Sequence, residues 1–561
     1  MNETKSSDHH LIEIKNLSLQ IGSARILNAI SFKIGTQEIV SLVGESGSGK
    51  SITALSLLGL HPKKSIIEVE KMLFDGIDIR QYTPKDWQHI RGNKIGMIFQ
   101  EPQSSLNPSM RCGKQLQEVL QQHRFISEKE QKALIIEMLK EVQLNDPERL
   151  LKSYPHQLSG GQKQRIMIAM ALLCKPKLLI ADEPTTALDV TVQKEIIHLL
   201  KVLQKKYQMS VLFISHDLAL VKQLADKVFV MYHGEIVEEG ETDSLFKNPK
   251  HPYTKGLLFA RPTTEDRLER LPTIADYQSG DFQPTQISFK ERKKRHLKLY
   301  KKSALLEVKG LQKIYSKRTW RGIKHEFNAV YSLDFSIYPG ETLGLVGESG
   351  CGKSTLAKAL IHLDPPSQGS VFYKGKAIKK STKGLRKLRK EIQFIFQDPY
   401  AALHPKKTIG NAIVEVLHVH KIADSPKEQL NRCQKLLNQV GLNQEFSNRY
   451  PHELSGGQRQ RAIIARALAS EPKLLICDEI VAALDISVQA QVLNLLNDLK
   501  IELGLSYLFI SHDLAVVKYM SDRVMVMEKG RLIELQEADL LYENPQQVYT
   551  KRLINAIPLL T

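Results

Sequence analysis

The amino-acid sequence predicts an α/β protein with two tandem phosphate-binding domains, because one set of motifs occurs twice in the same order. Each set opens with a glycine-rich loop that ends in Gly-Lys-Ser, at residues 44–51 and 347–354. A Leu-Ser-Gly-Gly-Gln segment and an Asp-Glu pair follow in each half. One such loop can arise by chance, whereas two complete sets indicate a duplicated machine driven by a nucleotide. The length of 561 residues agrees, since it exceeds what a single hydrophobic core supports.

Each half is expected to combine a largely parallel core sheet with a helical subdomain. Strand-like runs at 38–43 and 342–346 lead directly into the two glycine loops. Further β-rich runs, such as 178–181 and 474–477, are separated from their neighbours by helical periodicity, which favours parallel strands. Residues 100–159 show a helical pattern, which the second half repeats, and this pattern predicts the helical subdomain.

The domain boundaries follow from the repeat. The two halves are predicted to span residues 11–260 and 304–555, and both Ser159 and His216 recur 296 residues later. Between the halves, residues 261–303 scatter prolines among polar residues and end in a basic run. This segment is therefore expected to be a basic linker with little fixed structure.

Composition places the chain among globular proteins that do not cross a membrane. Hydrophobic residues make up 42% of the sequence and charged residues 25%. No apolar run approaches the roughly 18 to 20 residues that a bilayer-spanning helix needs, and residues 1–10 lack a hydrophobic signal core. We therefore expect a cytoplasmic protein, either soluble or peripheral to a membrane.

The cysteines predict neither a metal site nor a disulfide framework. They form no C-x-x-C pair and have no histidine at ligand spacing. We expect free thiols at Cys112, Cys174, Cys351, Cys433 and Cys477.

The net charge of +18 is partly concentrated in two stretches, residues 290–302 and 374–390. Such runs are compatible with a solvated surface, with lipid head groups or with a macromolecular partner. The sequence leaves these three readings open.

The glycine loops are expected to bind the phosphates of ATP, because backbone amides without a neighbouring β-carbon can converge on phosphate oxygens. Lys50 and Lys353 would bridge the β- and γ-phosphates. Ser51 and Ser354 would donate a hydroxyl ligand to Mg²⁺, supported by an aspartate that ends an apolar strand, Asp182 or Asp478. The loop residues expected to contact ATP are Gly44, Glu45, Ser46, Gly47, Ser48, Gly49, Lys50 and Ser51, and in the second half Gly347, Glu348, Ser349, Gly350, Cys351, Gly352, Lys353 and Ser354.

Two further pairs of residues are candidates for catalysis. Glu183 and Glu479 directly follow those aspartates and are expected to orient the attacking water or to act as general bases. His216 and His512 end strands in Ile-Ser-His-Asp segments and are expected to contact the γ-phosphate. A lone histidine would more often be structural, but its occurrence in both halves favours a functional role.

The Leu-Ser-Gly-Gly-Gln segments predict a second phosphate cradle in each half, because each precedes a helix. One half needs only one cradle, so we expect each segment to cap the nucleotide held by the other half. The residues concerned are Ser159, Gly160, Gly161 and Gln162, and in the second half Ser455, Gly456, Gly457 and Gln458.

This set of motifs resembles the nucleotide-binding domains of ATP-binding cassette (ABC) proteins, which have a P-loop NTPase fold, over roughly residues 11–260 and 305–555. The resemblance implies that Gln100 and Gln397 contact Mg²⁺ and sense a transporter. It also implies that the Ala-Leu-Asp segments at 187–189 and 483–485 communicate across a cassette dimer.

Two segments are similar to those of peptide and nickel importer ATPases, namely residues 99–108 and Asn-Pro-Lys-His-Pro-Tyr-Thr at 248–254. Looser versions stand at 396–405 and 544–550. The resemblance implies an ATPase that powers peptide import at the cytoplasmic face of the inner membrane, with two permease subunits and an extracytoplasmic binding protein. Glutathione, nickel chelates and other small solutes stay open as the cargo.

Three departures from the family pattern matter. Tyr315 stands where such cassettes stack an aromatic ring on adenine, whereas the aligned residue of the first half is Ile21. The first site is therefore expected to bind ATP more weakly. The chain also lacks the cysteine-rich tail that several relatives carry after the His-Pro-Tyr segment, and Ile480 replaces the proline found at Pro184.

Other tandem-cassette functions fit less well. Ribosome-associated cassettes usually carry Ser-His-Asp-Arg, whereas leucine follows Asp217 and Asp513 here, and the linker lacks a sustained helical pattern. A DNA-repair protein of this class would need zinc cysteines or a long coiled coil. A non-catalytic scaffold would have lost a glutamate or a histidine, and both halves keep them.

Overall fold

The computed structural model describes residues 10–100, 105–186, 188–265, 267–280, 283–318, 324–378, 381–398, 402–482 and 484–557. The chain divides into two compact units, the first ending at Leu258 and the second running from Phe259 to Ile557. No helix among the described residues is long and apolar enough to cross a membrane. The five cysteines are buried free thiols, as predicted.

The first unit contains two sheets. A six-stranded sheet has the order β11-β10-β3-β9-β8-β7 and is parallel except for the β10–β11 pair. A second, antiparallel sheet has β1 at its centre. The strands are β1 (His10–Ile21), β2 (Ala24–Gly35), β3 (Ile39–Val43), β4 (Ser65–Glu68), β5 (Lys71–Phe74), β6 (Ile77–Asp78), β7 (Ile95–Ile98), β8 (Leu178–Asp182), β9 (Ser210–Ser215), β10 (Lys227–Tyr232) and β11 (Glu235–Glu241).

The helices of the first unit cover the parallel sheet and form the predicted helical subdomain between residues 112 and 172. Strands β3, β8 and β9 are buried along their whole length, as parallel strands covered on both faces are. The helices are α1 (Lys50–Leu57), α2 (Pro84–Ile90), α3 (Cys112–His123), α4 (Glu128–Glu141), α5 (Pro147–Lys152), α6 (Gly160–Leu172), α7 (Val190–Tyr207), α8 (Leu218–Leu224), α9 (Thr242–Lys247) and α10 (Pro252–Phe259), with 3₁₀ turns at Ile79–Gln81 and Pro155–Gln157.

The second unit repeats this architecture. Its six-stranded sheet has the order β17-β18-β19-β14-β20-β21, and its antiparallel sheet the order β13-β12-β15-β16. The strands are β12 (Leu306–Arg318), β13 (Lys324–Ile337), β14 (Thr342–Val346), β15 (Gln368–Tyr373), β16 (Lys376–Ala377), β17 (Ile392–Ile395), β18 (Leu474–Asp478), β19 (Ser506–Ile510), β20 (Arg523–Glu528) and β21 (Arg531–Glu537).

The helices of the second unit include two that precede its first strand. They are α11 (Ile274–Ser279), α12 (Phe289–Leu299), α13 (Lys353–Leu360), α14 (Thr382–Glu391), α15 (Ile409–Val419), α16 (Pro426–Gln439), α17 (Gly456–Leu468), α18 (Ile486–Leu503), α19 (Leu514–Met520), α20 (Ala538–Glu543) and α21 (Val548–Asn555), with 3₁₀ turns at Gln444–Asn448 and Pro451–Glu453. The predicted α/β fold with a core sheet and a helical subdomain in each half is confirmed.

The segment at 261–303 differs from the expected flexible linker. Leu271 is buried in the core of the second cassette, where Asn494 bonds both its N–H (2.9 Å) and its carbonyl (2.8 Å). Arg292 is also buried and pairs with Glu537 and Asp539. The expectation was wrong because charged side chains that pair with a distant part of the chain are indistinguishable, in sequence, from solvated ones.

Helix α12 of this segment lies at the amino ends of the strands of the second cassette. Asp522, directly before β20, accepts a 2.9 Å hydrogen bond from the N–H of Thr342 at the start of β14. His296 Nε2 lies 3.2 Å from the same carboxylate, and Lys500 Nζ 3.1 Å from it. In the first cassette Asp226 makes the same bond to the N–H of Ile39, at 2.8 Å. The catalytic candidates lie at the opposite, carboxyl ends of the strands.

Candidate functional site

Each glycine loop joins a buried strand to a helix, β3 to α1 and β14 to α13. Gly49 (φ 105°) and Gly352 (φ 107°) occupy the residue before the helix in a left-handed conformation that glycine adopts without strain. A β-carbon on Gly44 would lie 2.2 Å from the carbonyl oxygen of Met231. The loop therefore has the backbone shape that presents amides at a helix N-terminus, which is a site for phosphate.

The loop lysines fold back over their own loops. Lys50 is buried, and its Nζ lies 2.8 Å from the carbonyl oxygens of both Gly44 and Glu45. Lys353 makes the same two contacts, at 2.6 Å to Gly347 and 3.1 Å to Glu348. An ammonium held inside the loop by carbonyl groups is positioned where phosphate oxygens would enter.

A hydroxyl and a carboxylate stand together beside each lysine. Ser51 Oγ donates to Asp182 Oδ1 at 3.2 Å, and Ser354 Oγ donates to Asp478 Oδ1 at 3.2 Å. Burial raises the pKa of Asp182, and the Ser51 hydrogen bond and the Lys50 charge offset only part of that shift. Such a buried carboxylate with an adjacent hydroxyl fits Mg²⁺, a cation that prefers hard oxygen ligands and that would compensate the buried charge.

Glu183 lies at the centre of a hydrogen-bond network at the end of β8. Its backbone is left-handed (φ 45°), an unusual conformation for a residue other than glycine, and Glu479 shares it (φ 51°). Glu183 Oε2 accepts from Gln100 Nε2 at 2.9 Å and from Thr186 Oγ1 at 3.0 Å, and His216 Nδ1 lies 3.2 Å away. Burial would raise the pKa of Glu183, but the hydrogen bond and charge of His216 outweigh it and lower the pKa to about 2.

The second cassette has a similar network with one contact fewer. Glu479 Oε2 accepts from Gln397 Nε2 at 2.7 Å, and His512 Nδ1 lies 3.5 Å away. Burial opposes ionisation here too, yet His512 lowers the pKa of Glu479. Thr186 corresponds to Ala482, so its hydrogen bond belongs to the first cassette. Sequence reasoning missed Thr186, although its position three residues after the glutamate was a usable signal.

The Leu-Ser-Gly-Gly-Gln segments start α6 and α17 with matching capping boxes. Ser159 Oγ accepts from the N–H of Gln162 at 3.3 Å, while Gln162 Oε1 accepts from the N–H of Ser159 at 3.1 Å. Ser455 and Gln458 repeat these bonds at the same two distances. The caps fix the serines and hold the glycine amides at the positive end of each helix.

The two cassettes differ at the position expected to contact adenine. Tyr315 in β12 is 42% exposed, and its hydroxyl donates to Asp364. Ile21 ends β1 and packs against the first hydrophobic core. The Ala187 and Ala483 positions of the Ala-Leu-Asp segments, and residues 101–104 and 399–401, lie outside the described residues.

A contact that the sequence did not predict joins the His-Pro-Tyr segment to the glycine loop. The N–H of Glu45 donates to the hydroxyl of Tyr253 at 3.0 Å, and Tyr253 is fully buried. In the second cassette the N–H of Glu348 donates to the hydroxyl of Tyr549 at 3.1 Å. Both tyrosines thus orient the amide that follows the first loop glycine. The recurrence of Tyr-Thr at the end of both segments was the available signal.

Comparisons with known proteins agree with this geometry. The ABC transporter family profile matches residues 27–186 and 330–482, and the profile of the oligopeptide/dipeptide transporter C-terminal region matches 237–287. Two relatives are each named glutathione import ATP-binding protein GsiA, one from Shigella dysenteriae serotype 1 (45% identical) and one from Escherichia coli K12 (44%). Each alignment covers 94% of this chain and 86% of the relative.

Among solved structures, cbiO1 from Clostridium perfringens, part of the ABC transporter complex cbiONQ, is 29% identical with a TM-score of 0.38. That match covers 43% of this chain and 92% of that chain. Identity of 45% to relatives over almost the whole chain, together with two matched cassettes, decides the family. The chain belongs to the ABC transporter family, as an ATP-hydrolysing importer subunit that carries two cassettes.

Proposed function

We propose that the chain powers the import of glutathione. The observation that carries the proposal is the identity of 45% over 94% of the chain to relatives named for glutathione import. Import of dipeptides or oligopeptides is the second candidate, because the oligopeptide/dipeptide transporter C-terminal region matches residues 237–287. Glutathione is itself a short peptide, so both candidates call for the same kind of ATPase subunit.

The proposed roles of the site residues follow from their positions. Lys50 and Lys353 bind the β- and γ-phosphates, since each already lies inside its loop. Glu183 and Glu479 stay ionised because their pKa values are lowered, and an ionised carboxylate can accept a hydrogen bond from the attacking water. The network around each glutamate therefore supports water orientation as its role.

Mg²⁺ is the proposed cofactor beside ATP. Ser51 with Asp182, and Ser354 with Asp478, would hold it, and Gln100 and Gln397 are proposed as further ligands. A bound Mg²⁺ neutralises charge that develops on the phosphate oxygens during transfer.

The proposed partners are two integral-membrane permeases and an extracytoplasmic binding protein, with the chain peripheral to the cytoplasmic face of the inner membrane. The support is the importer family itself and the peptide-importer segment at 248–254. Gentle solubilisation of membranes that contain the tagged chain should co-purify two polytopic proteins. Recovery of ribosomal proteins in their place would contradict the proposal.

Uptake measurements separate the two cargo candidates. Cells that depend on this chain should accumulate labelled glutathione, and cells that carry Glu479→Gln should not. The matched measurement uses a labelled dipeptide in the same cells. Uptake of the dipeptide without glutathione would favour the second candidate and overturn the first.

A further inference from the structure

The helix that follows His512 is held at both ends by the segment that precedes the second cassette. Helix α19 begins directly after Asp513, whose side chain caps it by accepting from the N–H groups of Ala515 (2.9 Å) and Val516 (3.2 Å). Since His512 stands immediately before this cap, the position of the helix sets the position of the histidine.

Arg267 closes the carboxyl end of α19. Its guanidinium donates to the carbonyls of Tyr519 (3.3 Å) and Ser521 (3.1 Å) and also to that of Lys518. The last carbonyls of a helix lack partners within the helix and carry partial negative charge, so a cation there is favourable. Arg267 is largely buried and pairs with Asp539, which holds the guanidinium in place.

The first cassette uses a cation of its own for the same purpose. There Lys201 of α7 donates to the carbonyl of Gln223 near the end of α8, at 3.3 Å. With the offset of 296 residues, Gln223 corresponds to Tyr519 and Lys201 corresponds to Asn497. Asn497 is neutral and donates to the hydroxyl of Tyr519, at 3.2 Å. In the second cassette, Arg267 of the preceding segment therefore donates to the helix-end carbonyl whose counterpart in the first cassette accepts from Lys201.

Arg261 acts at the other end of α19. Its Nη2 lies 3.5 Å from Asp513 Oδ2, and both side chains are mostly buried. The arginine therefore places a positive charge beside the carboxylate that caps the helix next to His512. Lys518 of the same helix donates back to the carbonyl of Thr264, so the segment and the helix contact each other between the two arginines as well.

We propose that Arg261 and Arg267 are positioning residues for ATP hydrolysis at the second site, acting on His512 through Asp513 and the two ends of α19. This inference rests on the proposed role of His512. On this proposal, two residues that precede the second cassette help to position His512, whereas the first site positions His216 with residues of its own cassette.

The test measures kcat and KM for ATP in the full chain with Mg²⁺. Arg267→Ala and Arg261→Ala should each lower kcat, and each drop in kcat should be at least about half of the drop that His512→Ala causes. The KM for ATP should change by less than about twofold, because neither variant alters the glycine loop. Adding Asn497→Lys to Arg267→Ala should restore most of the lost kcat, since it installs the cation that the first cassette uses.

The control for a merely structural effect is Arg295→Ala, which removes an ion pair to Asp522, two residues beyond the end of α19, and leaves the α19 carbonyls and the Asp513 cap with their arginine partners. It should leave kcat near that of the wild type even if it lowers the melting temperature. The proposal is overturned if both α19 variants keep the wild-type kcat while His512→Ala is impaired, or if Arg295→Ala loses as much kcat as they do. A wild-type rate in His512→Ala would instead overturn the proposed role of the histidine.

Discussion

Gln100 donates a 2.9 Å hydrogen bond to the carboxylate of Glu183, and this bond joins the loop after β7 to the residue proposed to orient water. His216 approaches the same carboxylate oxygen. Oε2 of Glu183 is therefore engaged by its neighbours, and a water molecule can bind to that oxygen only when one of these contacts opens. Because the family resemblance implies that the loop glutamine senses the transporter, we propose that this bond connects that loop to hydrolysis.

Replacing the proposed water-orienting residue by its amide should trap ATP. Glu183→Gln or Glu479→Gln removes the negative charge that accepts the water proton, and we expect hydrolysis at that site to fall by about 10²- to 10⁴-fold. Nucleotide binding should persist, which a filter assay with labelled ATP would show. Full cargo uptake in both single variants would contradict the scheme.

The two ATP sites should differ in affinity. Tyr315 offers an exposed ring for adenine, and stacking of a base on an aromatic ring contributes about 1 to 3 kcal/mol. Tyr315→Ile should therefore weaken the tighter site by about 5- to 100-fold, and Ile21→Tyr should strengthen the weaker one. Calorimetric titration of the full chain with a non-hydrolysable analogue would resolve the two classes. A single class of equal sites in the wild type would refute the expectation.

The tyrosine hydroxyls at the glycine loops should matter for nucleotide affinity. Tyr253→Phe removes the hydroxyl that accepts from the N–H of Glu45, and the loss of such a hydrogen-bond partner costs about 1 to 3 kcal/mol. We expect a weaker first site and an intact fold, measured by the same titration and by circular dichroism. Tyr207→Phe removes another partly buried hydroxyl, which donates to Glu141, and serves as the control because it lies outside the site.

Asp522 should make the stability of the second cassette depend on pH. It is buried, which opposes ionisation, but Lys500 and His296 hold its pKa well below the ordinary value. A carboxylate with a depressed pKa contributes stability that is complete above the unfolded pKa of about 3.9 and is lost as the pH falls through the folded pKa.

Asp522→Asn breaks this buried network and should cost about 3 to 5 kcal/mol at pH 7. The difference in melting temperature between the variant and the wild type should stay constant from pH 7 to about pH 5 and should narrow as the pH falls below about 4, where the unfolded chain takes up the proton. Scanning calorimetry measures it, and Asp226→Asn is the matched variant in the first cassette. A difference in melting temperature that stays constant down to the lowest pH would show that the charge of Asp522 does not contribute to the pH dependence of stability.

The sequence was sufficient for the fold, and for where most candidate site residues stand relative to the strands, because those features depend on local patterns. The glycine loops, the Asp-Glu pairs and the histidines occupy fixed positions relative to their strands. Tyr253 and Thr186 were missed, since each acts through a single hydrogen bond whose partner is set by the fold. The segment at 261–303 was misread because Arg267 and Arg292 pair with Asp539 and Glu537, which lie 272 and 245 residues away in the sequence.

Residues of the segment 259–303 pack on the second cassette, and this packing determines where the coding sequence could be split into two parts that each keep their buried contacts. A break after codon 303 would separate the second cassette from Arg267, Leu271 and Arg292, and would expose the buried surface that they cover. A break after codon 258 would keep these residues with their partners. During evolution the second half can thus be inherited or exchanged intact only when it carries the preceding forty-odd residues with it.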